Sequence, residues 1–353
     1  MRLPKPSKGL IGVDITSATV KLLELKPTDG NHEVASYAVR PLRDGAVVER
    51  RIQDIDDVAH VLGRAAEHAR PSTRKAAVAV PASAAITKTL SFPLGLSEEE
   101  IEERITEDPE RHIPFPINEV AFDFQLLGPS PFNEDEQRAL LVACRQQDVR
   151  QLTETLEKAG LEPAAVDVET FAVERAFDSL RHQLTTQLEA SACVALVDIG
   201  AHMNAFHVMR EGHIVYSRDT VFGGRQLTDA IRERYDLTME EAGLAKKRGG
   251  LPEDYHAQVL TPFLETIVQQ VGRSLQLYYT AGRHHEVKEI VLAGGSSVLP
   301  GLAERIAEDS GMNVTIANPF QHMLVNKRLN KDALSNDAPA MLTACGLAMR
   351  ARH

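Results

Sequence analysis

The chain has 353 residues, enough for two cores of ordinary domain size. Hydrophobic residues make up 43% and charged residues 25%, the balance of a globular protein and not of a disordered one. The formal charge of −11, with no basic block longer than Lys246-Lys247-Arg248, argues against a nucleic-acid binder, which needs a basic face toward phosphates. No apolar run approaches the roughly 20 residues that span a bilayer, and Met1–Gly9 reads as a solvated end without an apolar signal core. The cysteines Cys144, Cys193 and Cys345 sit in apolar settings without a CxxC partner, the pattern of buried reduced thiols.

In chain order, Leu10–Ile15 predicts a short buried strand that carries Asp14 and ends in a small-residue turn, Thr16-Ser17-Ala18. A strand over Thr19–Leu25, the turn Thr28-Asp29-Gly30-Asn31 and a strand over Glu33–Val39 complete a meander that leads to a helix over Ile55–Ala69. Strands are expected at Ala76–Val80 and Thr87–Phe92. Ser97-Glu98-Glu99-Glu100 opens a helix with a capping box, and Pro109 kinks or ends it. Within Glu107–Phe124, Ile113-Pro114-Phe115-Pro116 predicts an extended element. A strand over Ala139–Cys144 completes what reads as a small α/β insertion. Val149–Ala159 predicts a helix stopped by Gly160, and Ala165–Val168 a strand entering a helix over Phe171–Leu188.

The opening order then recurs. Val194–Gly200 is a strand carrying Asp198, followed by a strand over Asn204–Met209, the turn Arg210-Glu211-Gly212, a strand over His213–Val221 and a helix over Gln226–Tyr235. Helices are expected at Glu240–Lys247 and Leu260–Ala281, a strand from Ile290 into the turn Gly294-Gly295, and a last helix over Ala338–Arg350. His284-His285 reads as an exposed helix end, because no third ligand lies at metal-binding spacing.

Two matched meanders imply two α/β halves facing each other across a cleft. The tight turns after each strand offer backbone N–H groups to phosphate oxygens, with Asp14 and Asp198 beside them. Mg²⁺ favours such a set, a few carboxylates with water and phosphate oxygens. One strand-end aspartate alone would be a turn former; the duplicated pair points to nucleotide and metal. Lys21 lies on the adjacent strand. Gly294-Gly295-Ser296-Ser297 and Gly223-Gly224 suit close backbone approach or a helix-terminus anion site, although glycine serves such loops for steric reasons alone. The chain has no Gly-x-x-x-x-Gly-Lys-[Ser/Thr] loop, no Gly-x-Ser-x-Gly elbow and no Cys–His constellation.

Gly12-Val13-Asp14-Ile15-Thr16-Ser17 resembles the first phosphate motif of the actin and sugar-kinase superfamily, Asp198-Ile199-Gly200-Ala201 the second, and Ala293-Gly294-Gly295-Ser296-Ser297 the adenosine motif. Asp167–Ala172 lies where that superfamily places its connecting segment, so the resemblance makes Glu169 a candidate to orient an attacking water. Over nearly its whole length the chain is similar to the PilM family of type IV pilus assembly proteins, relatives of the division protein FtsA. Gly12–Leu25, Arg111–Val120, Phe222–Leu227, Glu240–Gly250 and Asp337–Leu347 carry that likeness.

The resemblance implies an α/β, actin-like duplicated ribonuclease-H-like fold. The first half would span 1–190, with an FtsA-type subdomain inserted over about 90–162 and the C-terminal helix 338–350 packed back on it. The second would span 191–330, with a helical part over about 225–285. It implies ATP or ADP with Mg in the cleft, held by Asp14, Thr16, Ser17, Lys21, Asp198, Gly200, Ala201, His202, Met203, Asn204, Gly223, Gly224, Lys246, Gly294, Gly295, Ser296 and Ser297. Asp14 and Asp198 would reach the metal through phosphate or water. The implied partners are the cytoplasmic N-terminal tail of PilN, held in a groove of the first half, and other platform and motor proteins. Nucleic acid is not among them. Through PilN a cytoplasmic protein would be tethered at the inner face of the inner membrane, with no membrane contact of its own.

Departures from the superfamily pattern bear on turnover. Thr16 stands where glycine is usual, and His202-Met203-Asn204 where active ATPases carry Gly and Thr. The nucleoside motif keeps Lys246, but Gly243 replaces the carboxylate that would bind ribose. The expectation is ATP binding with slow or negligible hydrolysis. The same superfold also hosts active ATPases, small-molecule kinases and filament formers.

Overall fold

The computed structural model describes residues 9–28, 30–109, 112–184, 192–282 and 285–350. Residues 1–8, Asp29, Arg111, the end of the helix expected through Leu188, and His284 lie outside the described residues.

The first sheet begins with the meander β1 (Leu10–Ile15), β2 (Thr19–Thr28) and β3 (Asn31–Pro41). A small hairpin, β4 (Val47–Val48) and β5 (Arg51–Ile52), leads to α1 (Ile55–Ala69), capped by the Asp54 side chain accepting from the Asp57 N–H. β6 (Lys75–Val80) returns parallel to β1. Next come β7 (Ala85–Pro93), α2 (Glu98–Glu107) with the Ser97–Glu100 capping box, β8 (Val120–Pro129) and β9 (Glu136–Arg145). These strands form a separate sheet in the order β7-β9-β8, covered by α2 through Ile101 and Ile105. α3 (Gln146–Lys158), β10 (Glu162–Val168) and α4 (Glu169–Phe177) bring the chain back.

The second sheet repeats the plan with β11 (Cys193–Ile199), β12 (Asn204–Arg210) and β13 (His213–Thr220). α5 (Gly224–Tyr235), α6 (Met239–Arg248) and α7 (Thr261–Thr280) follow, then β14 (Val287–Ala293), which returns parallel to β11 as β6 does to β1. The chain closes with α8 (Leu302–Ser310), β15 (Asn313–Ile316), β16 (Leu324–Val325), α9 (Lys331–Asp337) and α10 (Leu342–Ala348). The sheet orders are β10-β6-β1-β2-β3-β16 and β13-β12-β11-β14-β15.

Strand alternation decides which side chains meet. Ile11 and Val13 face the core under α1, while Leu10 and Gly12 face α4 and α10. In β11, Ala195, Val197 and Ile199 face the α7 core, while Val194 and Leu196 join a third core. That third core unites Leu23 and Leu25 of β2, Val194 and Leu196 of β11, Phe177 of α4 and Leu342 and Cys345 of α10. By the same alternation Asp14 and Asp198 leave their strands toward this shared side. Asp167 holds the seam, accepting from Arg175 and, at 2.6 Å, from Arg350. All three cysteines are buried free thiols.

Three sequence expectations need correction. The helix expected from Phe171 narrows to α4 and passes at Asp178 into a 3₁₀ segment ending at Gln183. The last helix starts as a 3₁₀ turn over Ala338–Ala340 and becomes α-helical only at Leu342, because Pro339 fits a first turn but not an interior. The Ile113–Pro116 stretch is irregular, bending at Pro114 and Phe115, and leads to a 3₁₀ turn over Ile117–Glu119; the strand is β8 after it.

Candidate functional site

The first corner is the turn from β1 to β2. The Asp14 carboxylate accepts from Lys21, its cross-strand neighbour, at 2.7 Å. Thr16 closes the turn on itself: its Oγ accepts the N–H of Thr19 at 3.1 Å and donates to the Thr19 carbonyl. The extra hydroxyl therefore consumes turn donors, taking the N–H groups of Thr19 and, at 3.4 Å, Ala18, while the Ser17 N–H has no acceptor among the described residues.

The second corner is more open. The Gly200 N–H donates to the Met203 carbonyl, while those of Ala201, His202 and Met203 have no acceptor among the described residues. Three consecutive free donors form the kind of concavity that holds an anion. The Asn204 side-chain oxygen, buried at the start of β12, also lacks a donor there.

The glycine loops close on this corner. A Cβ at Gly294, whose φ is +86°, would lie 2.4 Å from Asp198 Oδ1. A Cβ at Gly224 would meet Ser296 Oγ at 2.2 Å, and one at Gly223 the Ala201 carbonyl at 2.5 Å. Ser296 donates its N–H to Ile199, Ser297 donates its Oγ to Gly294, and the Gly295 N–H stays free among the described residues. Lys246 reaches from α6 to the Gly224 carbonyl at 2.9 Å and the Thr228 hydroxyl at 2.7 Å. Burial, with Lys247 and Arg225 nearby, pulls its ammonium down to about 8.

The corners touch across the cleft: Ser17 Oγ lies 2.8 Å from His202 Nδ1, and Arg225 at the start of α5 donates to Asp44 at 2.5 Å. Between them lies a charged cluster. Burial alone would lower the Lys21 ammonium, but Asp14 beside it, with Asp198 and Glu169 beyond, holds it above the ordinary lysine value. Burial pushes the Asp198 carboxyl up against the pull of Lys21 and Arg50. Glu169, first residue of α4, is pushed to about 7 by burial, opposed by Arg50 and reinforced by Asp14, Asp198 and Asp219. Burial drives His207 down to about 4, so it is neutral at pH 7.

The sequence alone did not disclose Arg50, Asp219, His207 or the Asp44–Arg225 pair. Arg50 donates to Glu169 from the two-residue turn of the β4–β5 hairpin. The available signal was slight: Glu49-Arg50 between Val47-Val48 and Arg51-Ile52, without the Asn-Gly that such turns favour.

A nucleoside triphosphate with a divalent cation fits these donors. Asp14, Asp198, Glu169 and Asp219 face two cations, Lys21 and Arg50, an excess that a divalent ion would relieve. Among the described residues no group of three or more His, Cys, Asp or Glu is placed to hold a metal ion. A cavity of about 670 Å³ lies elsewhere, between β3, α1 and α9. Its lining includes neither corner.

Residues 12–352 match the family model described as type IV pilus assembly protein PilM. The structure is similar to the chain solved in a PilM-PilN type IV pilus biogenesis complex, with a TM-score of 0.77 and 27% identity over 98% of this chain and 99% of that one. Ethanolamine utilization protein EutJ of Escherichia coli (strain K12) is 29% identical over 160 residues, 44% of this chain and 49% of EutJ. The chain thus spans about half the length of the curated relatives it matches. MreB5 of Spiroplasma citri bound to ADP is 13% identical over 96% of this chain and 95% of its own, with a TM-score of 0.51, a likeness of fold alone. The fold is the duplicated, two-lobed actin-like one.

Proposed function

The chain belongs to the PilM family of type IV pilus assembly proteins, and on that premise we propose that it is an ATP-binding scaffold of pilus assembly. The observation that carries the reading is the pair of turns bearing Asp14 and Asp198, which share Lys21 and Arg50 as counter-charges and keep free N–H donors beside them. In this reading Ser17, Ala201, His202, Met203 and Gly295 donate to phosphate oxygens. Asp14 and Asp198 hold Mg²⁺ through water or phosphate, while Gly223, Gly224 and Lys246 border the nucleoside. Bound Mg²⁺ supplies charge neutralisation.

The halves would divide near residue 190, with β7 to β9 as the inserted subdomain of the first. Its partner would be the cytoplasmic tail of PilN, the protein paired with PilM in the related complex. That contact would hold the chain at the inner face of the inner membrane. No helix among the described residues is long and apolar enough to cross a membrane. Slow or negligible turnover is supported by Thr16, which spends its hydroxyl on its own turn.

Mass spectrometry of the nucleotide released from purified, denatured protein tests the site, and ATP or ADP is the expected finding. Titration with a PilN tail peptide, with and without ATP, tests the scaffold. Binding that tightens with ATP is expected if closure of the halves shapes the groove. A chain that neither carries nor takes up nucleotide would refute the reading.

Gly243 offers a gain-of-function test. It lies on α6 one turn before Lys246, and a Cβ there meets nothing within 4 Å. Gly243→Glu restores the missing carboxylate at no steric cost and improves helix propensity. Nucleoside binding should tighten about tenfold, roughly the effect of one charge-assisted hydrogen bond, measured by titration with a fluorescent ATP analogue.

A further inference from the structure

The β4–β5 hairpin joins two-residue strands through Glu49 and Arg50, both at positive φ, 47° and 62°. A two-residue turn of this kind is the natural place for Asn and Gly, and two long charged residues occupy it against their backbone preference. Val47 and Ile52 anchor the hairpin in the first core, so the turn is held in place over the cleft. Its tip delivers a guanidinium into the charged cluster. There Arg50 donates to Glu169 and lies within electrostatic reach of Asp14, Asp198 and Asp219. The side chain is only 22% exposed. Here the strained turn brings a long cation to the candidate site.

Other cations around the cleft are committed elsewhere. Lys21 holds Asp14, Lys246 holds a carbonyl and a hydroxyl, and Arg225 holds Asp44 and Asp229. Arg50 by contrast pairs with Glu169, whose carboxyl burial already drives toward the neutral form.

We propose that Arg50 reads the terminal phosphate of a nucleoside triphosphate, exchanging Glu169 for phosphate oxygens; this rests on the nucleotide site proposed above. A planar guanidinium matches phosphate with two parallel hydrogen bonds, which lysine does not reproduce. A diphosphate leaves Arg50 on Glu169. A triphosphate replaces one anionic partner by another, so the guanidinium is never stripped of a counter-charge. Arg50 therefore adds to the affinity for ATP and little to that for ADP, and it makes the state of the nucleotide visible to the hairpin and to α4.

The test is equilibrium binding of fluorescent ATP and ADP analogues with Mg²⁺ to the full chain and to Arg50→Gly, Arg50→Lys and Glu169→Gln. Arg50→Gly should weaken ATP about tenfold or more and leave ADP within about twofold. Arg50→Lys should recover part of the loss, and Glu169→Gln should tighten ATP by releasing Arg50. An ATP-to-ADP affinity ratio unchanged in Arg50→Gly overturns the inference while leaving the nucleotide site standing. A wild-type chain that binds neither nucleotide removes the site and this inference together.

Discussion

Replacing Gly346 by alanine should destabilise the protein by about 3 kcal/mol or more, among the largest effects expected of so small a change. Gly346 lies inside α10, where alanine would ordinarily stabilise by about 1 kcal/mol. Here a Cβ would stand 1.7 Å from the Ala172 carbonyl oxygen and 2.5 Å from its carbon. Both are backbone atoms of α4 and cannot rotate away. The same closeness recurs at Gly12, where a Cβ would meet the Ala344 carbonyl oxygen at 2.0 Å. These two glycines let α10 lie directly on β1 and α4, and Arg175 seals the seam by donating to the Gly346 carbonyl at 2.9 Å. Urea denaturation measures the effect, with Gly243→Ala as the control in which nothing crowds the new methyl. A Gly346→Ala midpoint equal to that of the wild type would mean that α10 does not pack as described.

Asp198→Asn should separate stability from function. The wild-type carboxyl is buried beside Asp14 and Asp219, and burial raises it above the ordinary aspartate value of 3.8 despite Lys21 and Arg50. A carboxyl whose folded value is raised contributes no penalty below 3.8; the penalty grows as pH rises from 3.8 toward the folded value and is constant above it. The asparagine variant lacks that penalty. Its melting temperature without nucleotide should therefore exceed the wild type at pH 7 to 8, with the difference vanishing toward pH 3. Its response to ligand should be the opposite. Mg-ATP at 100 times its Kd stabilises the wild type by about 2.7 kcal/mol, and the variant should show almost none of this. Thermal melts across pH, with and without Mg-ATP, provide both readings. A variant that keeps the full ligand shift would show that Asp198 is not part of the metal and phosphate site.

Much of this architecture is legible in local sequence. Leu10–Ile15 matches β1 at both ends, Ile55–Ala69 matches α1, and Ser97 caps α2 with Glu100 as its spacing predicts. These elements declare themselves because a period-2 apolar run, a helical stripe and a capping box are written within a few residues. The region after Ala293 was less readable. α8, β15, β16 and α9 are short, and β16 pairs with β3 nearly 300 residues away in sequence, a partner that no local pattern can name.

The sequence by itself determined the two strand-aspartate-turn units, their order and their likeness, because side-chain alternation and turn chemistry are local properties of the chain. Only the tertiary structure decided that both aspartates turn to one shared side, that Ser17 meets His202, and that a strained hairpin brings Arg50 to Glu169. The physical reason is that these are meetings between residues as many as 185 positions apart. They are fixed by how β1, β11, α4 and α10 pack around a common core, and packing is a property of surfaces that have already folded.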